Sequence, residues 1–381
     1  MKILCLFDYA SADRSWERWQ NKQERESPEH HLWGITHLYK YGIDVDILPY
    51  EKFRLIKQIG EKLKLGDLDQ QLRVIFIADK YDIIYSTCQT STLVLALLRI
   101  LGIFKTPLVV KLERPFKKNT LNKILVQLFA KGHDKILCLS SKTENRLIND
   151  FGVNKNKLAL LDWGTDLPSY DDYEFLDNDI NAQRVFVSAG NESRDYNTLV
   201  QAFSEVDCSL KLYCSSKSAP TVTPLSPNIT IEYSKRENLA LAWKAISWKE
   251  LLSEYAKAYA ITIPLYIPPH RIDTTPLYGL TSLLDAMAMG KPVIMTKHRQ
   301  ANIDVEKEKI GLWVEPGDVK GWQQAISYLL EHPEEAQEMG KRGRLLAEQK
   351  YNLENFGSQL AKVLKTASIP IEGELNFGLK N

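Results

Sequence analysis

The sequence predicts an α/β protein made of two doubly wound domains, each a mostly parallel sheet covered by helices. Two observations carry that expectation. Short runs that are apolar throughout alternate with segments of 3–4 spacing, and the alternation stops at an acidic stretch and then restarts. Runs without polar alternation are buried on both faces, as in a sheet sandwiched between helices. The length agrees: 381 residues are enough for two domains at roughly 100–200 residues each.

In the first half, strands are expected at Lys2–Phe7, Ile43–Leu48, Asp82–Ser86, Leu108–Leu112, Lys135–Leu139 and Lys157–Leu161. Helical patterns lie between several of them, at Ser91–Leu101, Thr120–Ala130 and Thr143–Phe151. These form an N-terminal domain, residues 1–168. The acidic linker, 169–183, carries Asp171, Asp172, Glu174, Asp177 and Asp179 with no Lys or Arg, and follows the turn-rich Trp163-Gly164-Thr165-Asp166. The second domain, 184–351, restarts with strand Arg184–Ala189, helix Asp195–Val206 and strands Ser209–Tyr213 and Asn228–Tyr233. Helix Trp248–Ala256, strand Tyr259–Ile263, helix Thr281–Met289 and strands Pro292–Met295 and Gly311–Val314 follow. Helices Val319–Leu330, Pro333–Gln349 and Leu353–Lys365 close the pattern, and 352–381 form a terminal helix and tail expected to return to the first domain. In open α/β sheets ligands bind beyond the carboxyl ends of the strands, so two facing sheets place a site in the cleft between them.

Composition removes several function classes. Lys plus Arg number 49 and Asp plus Glu 48, a net charge of +1, without the basic excess of a nucleic-acid-coating protein. The five cysteines, Cys5, Cys88, Cys138, Cys208 and Cys214, are odd in number and form no C-x-x-C, which points to a reducing, cytoplasmic setting. No apolar run reaches the roughly 18 residues needed to span a bilayer. Asp8 interrupts the N-terminus too early for a secretory signal.

The most informative stretch runs from Tyr278-Gly279-Leu280-Thr281-Ser282 through Asp285 to Gly290-Lys291-Pro292. A glycine after a strand opens a helix near Thr281, whose free N–H groups and dipole suit a diphosphate. Asp285 lies one turn further along the same helical face, where a carboxylate can accept from ribose hydroxyls. A capped, packed helix with an incidental Asp fits the same pattern.

This stretch resembles the E-G-F-G-L-x-x-L-E-A-M-A-x-G-K-P-V-I signature of retaining glycosyltransferase family 4, which has the GT-B fold of two Rossmann-like domains facing across a cleft. Leu161-Asp162-Trp163-Gly164-Thr165-Asp166 is similar to the N-G-V-D turn that ends the family's first domain. Gly190-Asn191-Glu192-Ser193-Arg194-Asp195-Tyr196 resembles its diphosphate loop. Gly311–Asp318, followed by Met339-Gly340-Lys341-Arg342-Gly343-Arg344, resembles G-L-L-V-P-P-G-D and M-G-x-x-G-R. The resemblance implies a nucleotide diphosphate sugar as donor substrate, no cofactor and no metal. It also implies retention of anomeric configuration by front-face attack of an acceptor hydroxyl, with no covalent nucleophile. The second domain then binds the donor through Gly190, Asn191, Arg194, Gly279, Leu280, Thr281, Ser282 and Asp285.

There are departures. Leu277 stands where the family has its first, sugar-contacting glutamate; Asp273, Thr274 and Thr275 are the polar residues nearby in the preceding loop. Asn191 stands where many members have arginine, which leaves Arg194 as the candidate cation for the leaving diphosphate. A helix start favours anions, which argues against an idle arginine there. The base is expected to meet backbone near Ile246-Ser247-Trp248.

Other groups divide between plain and functional readings. Asp44-Val45-Asp46 and Asp177-Asn178-Asp179 have D-x-D spacing but read as ordinary carboxylates. His30-His31 precede a helix ending at Gly42, and one of them, His31, is a candidate to line the site, with capping or packing as the alternative. Glu113 ends a strand and is a candidate to position the acceptor hydroxyl, against a salt bridge with Arg114 or Lys111. Arg114–His133 holds five basic residues, and Lys52–Lys64 five with Glu61 as the one acid. The plainer reading is helices with the apolar face buried and the basic face solvated. The alternative is peripheral contact with an anionic inner membrane face, suited to a lipid-linked acceptor; a glycan or small-molecule acceptor needs no such contact. Rival readings are a sugar-nucleotide epimerase of the same fold and a nucleotide-sugar binder without activity. A dehydrogenase fits poorly, because Asp8-Tyr9-Ala10-Ser11 replaces the G-x-G-x-x-G after the first strand.

Overall fold

The computed structural model describes residues 1–23, 28–173, 184–223, 225–234, 246–271 and 277–368. They form two compact units. The first comprises Met1–Gln23, Leu32–Leu161 and the chain from Phe356 onward; the second comprises 28–31 and Asp162–Asn355.

The first unit contains a six-stranded parallel sheet: β1 Lys2–Leu6, β2 Asp44–Ile47, β3 Ile83–Ser86, β4 Leu108–Lys111, β5 Lys135–Cys138 and β6 Leu158–Leu160, in the order β2-β1-β3-β4-β5-β6. Strands β3 and β4 are buried from end to end, the burial that unbroken apolar runs imply. Helices Leu68–Ile75, Leu93–Ile100 and Thr120–Gly132 pack Val74, Leu95, Val126 and Phe129 onto the sheet. The chain leaves β1 toward β2 on one side and later returns to β3 on the other, so β1 and β3 flank the topological switch point.

The second unit also holds a six-stranded sheet, with a different strand order, from β7 Val185–Ala189, β8 Ser209–Ser215, β9 Ile229–Ser234, β10 Ala260–Ile263, β11 Val293–Thr296 and β12 Gly311–Val314. All pairings are parallel, in the order β12-β11-β10-β7-β8-β9, and the switch point lies between β7 and β10. Phe186, Phe203, Leu210 and Trp322 lie in its core.

Two expectations change. The start of the expected linker is structured: Pro168–Asp171 forms a helical turn of the second unit, with Tyr170 fully buried while Asp171 and Asp172 stay exposed; the rest of the acidic stretch lies outside the described residues. His30 and His31 group with the second unit, where the Trp163 indole N–H donates to the His30 carbonyl at 3.2 Å. The terminal helix Leu353–Ala367 joins the first unit from Phe356 on, as expected, and that ring closes on Gly34, where a Cβ would come within 2.9 Å of it. Among the described residues no helix is long and apolar enough to cross a membrane.

Candidate functional site

Two backbone turns meet at the switch point of the second unit. After β7, Gly190 takes φ +146° and Ser193 φ +49°, and Arg194 forms an antiparallel bridge with Leu265 beyond β10. The loop is held by Tyr266 N–H on Ser193 O (2.9 Å) and the Tyr196 hydroxyl on Gly190 O (2.8 Å). Asp195 caps helix Tyr196–Phe203 by accepting from Thr198 N–H. Arg194 is thereby aimed inward. Its Nη2 donates to Ala189 O (3.2 Å) and to Ser282 Oγ (3.0 Å), and Nη1 to Glu192 O (3.2 Å). Its buried Nε meets no acceptor among the described residues. A side chain at Gly190 would lie 2.4–2.6 Å from this guanidinium, so the glycine makes its seat.

Facing Arg194 is the start of helix Leu280–Ala288. Gly279 supplies its N-cap in the left-handed region at φ +78°, and no side chain caps the helix. A Cβ there would stand 2.8 Å from Ile263 and 2.9 Å from Met295, so only glycine lets the turn lie this close to β10 and β11. Leu280 N–H bonds to Leu277 O and Leu283 N–H to Gly279 O, whereas the N–H groups of Thr281 and Ser282 have no acceptor among the described residues. A guanidinium and two unbonded amides at a positive helix end form an arrangement that can hold an anion. Asn191 lies half-buried in the same loop.

Asp285 lies behind this point. It is buried, and its Oδ1 accepts the Tyr170 hydroxyl at 2.5 Å. Burial pushes its carboxyl up to about 7 from an ordinary 3.8, and the Tyr170 bond pulls the other way. The open carboxylate expected on the helix face therefore has a protein partner. The residue that sequence reasoning missed is Tyr170, hidden in the acidic stretch; its ring meets Trp248 edge-on at 6.0 Å. Ser247 caps helix Trp248–Lys257 through a capping box with Glu250. Leu277 is half-buried and contributes its carbonyl to the turn; Asp273, Thr274 and Thr275 lie outside the described residues.

The first unit gathers acidic groups at its own switch point. Glu113 past β4, Asp8 past β1 and Cys88 past β3 lie within 4.8 Å of one another, and the Cys88 thiol contacts a Glu113 carboxylate oxygen at 3.2 Å. Gln89 fixes the loop, its Oε1 accepting from Glu113 N–H (2.8 Å) and its Nε2 donating to Arg114 O (2.9 Å). Burial raises the Asp8 carboxyl, Glu113 raises it further, and Lys111 lowers it. Lys111 is buried with its ammonium 3.5 Å from the Trp33 ring centroid, and burial lowers its pKa. The three groups are near enough to ligate one cation. The ammonium of Lys111 already supplies positive charge, however, and burial holds the Cys88 thiol protonated, with a pKa of about 12. Lys111 thus serves Glu113 by charge, and no ion pair joins Glu113 to Arg114 among the described residues. Sequence reasoning missed Asp8 and Lys111 as companions of Glu113; their shared position past strand ends was the available signal.

His31 is half-buried with its ring 4.7 Å from that of His30, whose own ring is fully buried and kept neutral by that burial. Asp46 is held by Lys2 (2.8 Å) and the Tyr81 hydroxyl (2.8 Å); Asp177 and Asp179 lie outside the described residues.

Residues 279–346 match the family model of glycosyl transferases group 1. No curated protein matches the chain by sequence. Among solved structures, Anabaena HepE in complex with UDP is 14% identical, with a TM-score of 0.65 over 96% of this chain and all of that one. A complex of HepE with UDP-glucose is 15% identical with a TM-score of 0.64, again over 96% of this chain and all of that one. Sucrose-phosphate synthase from Thermosynechococcus elongatus is 15% identical, with a TM-score of 0.66 over 96% of this chain and 99% of that one. The fold is GT-B.

Proposed function

We propose that this chain is a glycosyltransferase that binds a nucleoside diphosphate sugar at the β7–β10 switch point and transfers the sugar to an acceptor hydroxyl with retention and without a metal. The observation that carries the reading is the Arg194 guanidinium, seated by Gly190 and bonded to Ser282 beside the open amides of Thr281 and Ser282. The match of 279–346 to group 1 glycosyl transferases and the UDP and UDP-glucose complexes of HepE support it.

As the bond from the anomeric carbon to the diphosphate oxygen breaks, its electron pair goes to the diphosphate and positive charge grows on the sugar. Arg194 and the two amides stabilise the departing charge without reorganising. The acceptor oxygen bonds to the anomeric carbon on the face the diphosphate leaves, and its proton passes to a departing phosphate oxygen. We assign Glu113, with Asp8 beside it, to orient the acceptor hydroxyl. Leu277 supplies no carboxylate to the sugar, which also fits a nucleotide-sugar binder without activity; release of nucleotide with a glycan, lipid-linked or small-molecule acceptor separates the two.

Thermal shift with UDP, GDP, ADP and dTDP tests the donor reading, since stabilisation follows RT ln(1 + [L]/Kd). One base is expected to stabilise the wild type above the others. No shift with any of the four overturns the reading.

A further inference from the structure

The helices on one face of the first unit carry apolar side chains outward as well as inward. In Thr120–Gly132, Val126, Phe129 and Ala130 meet the sheet. Leu121, Ile124, Leu125 and Leu128, spaced i, i+3, i+4, i+7, form a second stripe that the sheet does not use; Leu121 is 66% exposed and Leu125 52%. The neighbouring helix Leu93–Ile100 and its end repeat this with Leu97 and Leu101. Helix Arg54–Lys62 repeats it again with Leu55, 75% exposed, Ile59 and the following Leu63. These helices pack in sequence through Leu68–Ile75, which ends at Phe76, 81% exposed. The connections they make, β2 to β3, β3 to β4 and β4 to β5, all advance in one direction across the sheet, so right-handed crossover places them on one face. The expected arrangement, with the apolar face buried and only basic groups outside, is therefore not what forms.

Basic groups border the stripes. Lys117, Lys118, Lys123 and Lys131 are exposed around Thr120–Gly132, and residues 114–133 contain no acid. Lys52, Arg54, Lys62 and Lys64 are exposed around Arg54–Lys62, with Glu61 the one acid between 52 and 64. An apolar stripe with lysines at its borders matches an interface of acyl chains below and anionic headgroups above, with long side chains reaching outward to the phosphates. A second copy of the same face would set like charges against each other.

We propose that this helical face of the first unit docks on the anionic surface of a lipid bilayer, with Leu121, Leu125 and Leu55 entering the interface and Lys117 and Lys123 meeting the headgroups. The proposal goes beyond the transfer reaction and does not depend on it.

Flotation of the full chain with phosphatidylcholine vesicles, and with vesicles of phosphatidylcholine and phosphatidylglycerol in equal parts, tests it. The wild type is expected to float with the mixed vesicles and not with phosphatidylcholine alone, and to bind more weakly at about 1 M salt, where the screening length falls to ~3 Å. Lys117→Gln with Lys123→Gln is expected to lower partition by about fivefold per lysine, roughly 25-fold for the pair. Leu121→Asp with Leu125→Asp is expected to lower it at least about tenfold. All four positions are exposed, so urea midpoints of both variants should match the wild type; should the aspartate pair unfold the chain, the lysine pair still decides. Absent or equal flotation with both vesicle types, or partition unchanged in the lysine pair, overturns the proposal. So does light scattering that shows a dimer abolished by the aspartate pair when the wild type binds no vesicle.

Discussion

If Gly190 exists to seat the Arg194 guanidinium, the two residues act as one unit toward a diphosphate. Removing the cation with Arg194→Ala deletes a charge-assisted contact worth about 1.5–3 kcal/mol, roughly a 10- to 150-fold weaker Kd for UDP. Gly190→Ala inserts a methyl 2.4–2.6 Å from Nη2, Nε and Cζ, at φ +146°, and must push the guanidinium from its place. Its effect on UDP should approach that of Arg194→Ala, while the strained backbone costs a further ~1–3 kcal/mol of stability. The double variant should bind UDP no more weakly than Arg194→Ala alone, because the cation that the methyl would displace is already gone. Isothermal titration calorimetry with UDP on the four proteins closes the cycle, and urea melts separate stability from binding. Full additivity of the two losses, or an Arg194→Ala protein with wild-type affinity, refutes the reasoning.

Asp285 gives a pH signature of defined sign. Its folded pKa of about 7 lies above the ordinary 3.8, so the folded state holds the proton more tightly. Stability is then lost as pH rises from about 4 to 7, by up to ~4 kcal/mol. Asp285→Asn keeps an acceptor for Tyr170 and removes the titration, so its urea midpoint should fall less than the wild type's between pH 5 and about 7.5; parallel profiles would refute this. Gly340→Ala would put a Cβ 2.0 Å from Gly290 O, and is expected to destabilise the second unit by about 1–3 kcal/mol in urea melts. An unchanged midpoint would show that the helix can move away at no cost. Glu113→Gln should slow transfer at saturating donor by about 10²-fold while leaving the UDP Kd unchanged; loss of UDP binding would remove its assignment to the acceptor.

Most strands were legible as short runs rich in apolar residues, whereas β2, with Asp44 and Asp46, and β8, with Lys211, carry charge within the run. Gly190, Arg194 and Gly279 were singled out in the sequence, and the structure brings them to one pair of turns, where both glycines take positive φ. What stayed hidden depends on long-range packing. Tyr170 reaches Asp285 across 115 residues from inside an acidic stretch. His30 joins Trp163 across 133. Thr120–Gly132 is apolar around most of its circumference, and periodicity cannot say which of two apolar faces meets the sheet. Asp8 and Lys111 look like ordinary strand-end charges until β1 and β4 bring them together.

The two sheets order their strands differently, yet each has its switch point beside its first strand, β1 or β7, and the residues that follow those strands differ in polarity. Asp8 with Glu113 makes one crest anionic, while Gly190, by admitting a guanidinium, makes the other cationic. On the proposed reading, a phosphate-bearing donor is disfavoured beside Asp8 and Glu113 and favoured beside Arg194, so the residues that follow each opening strand decide which reactant that unit receives.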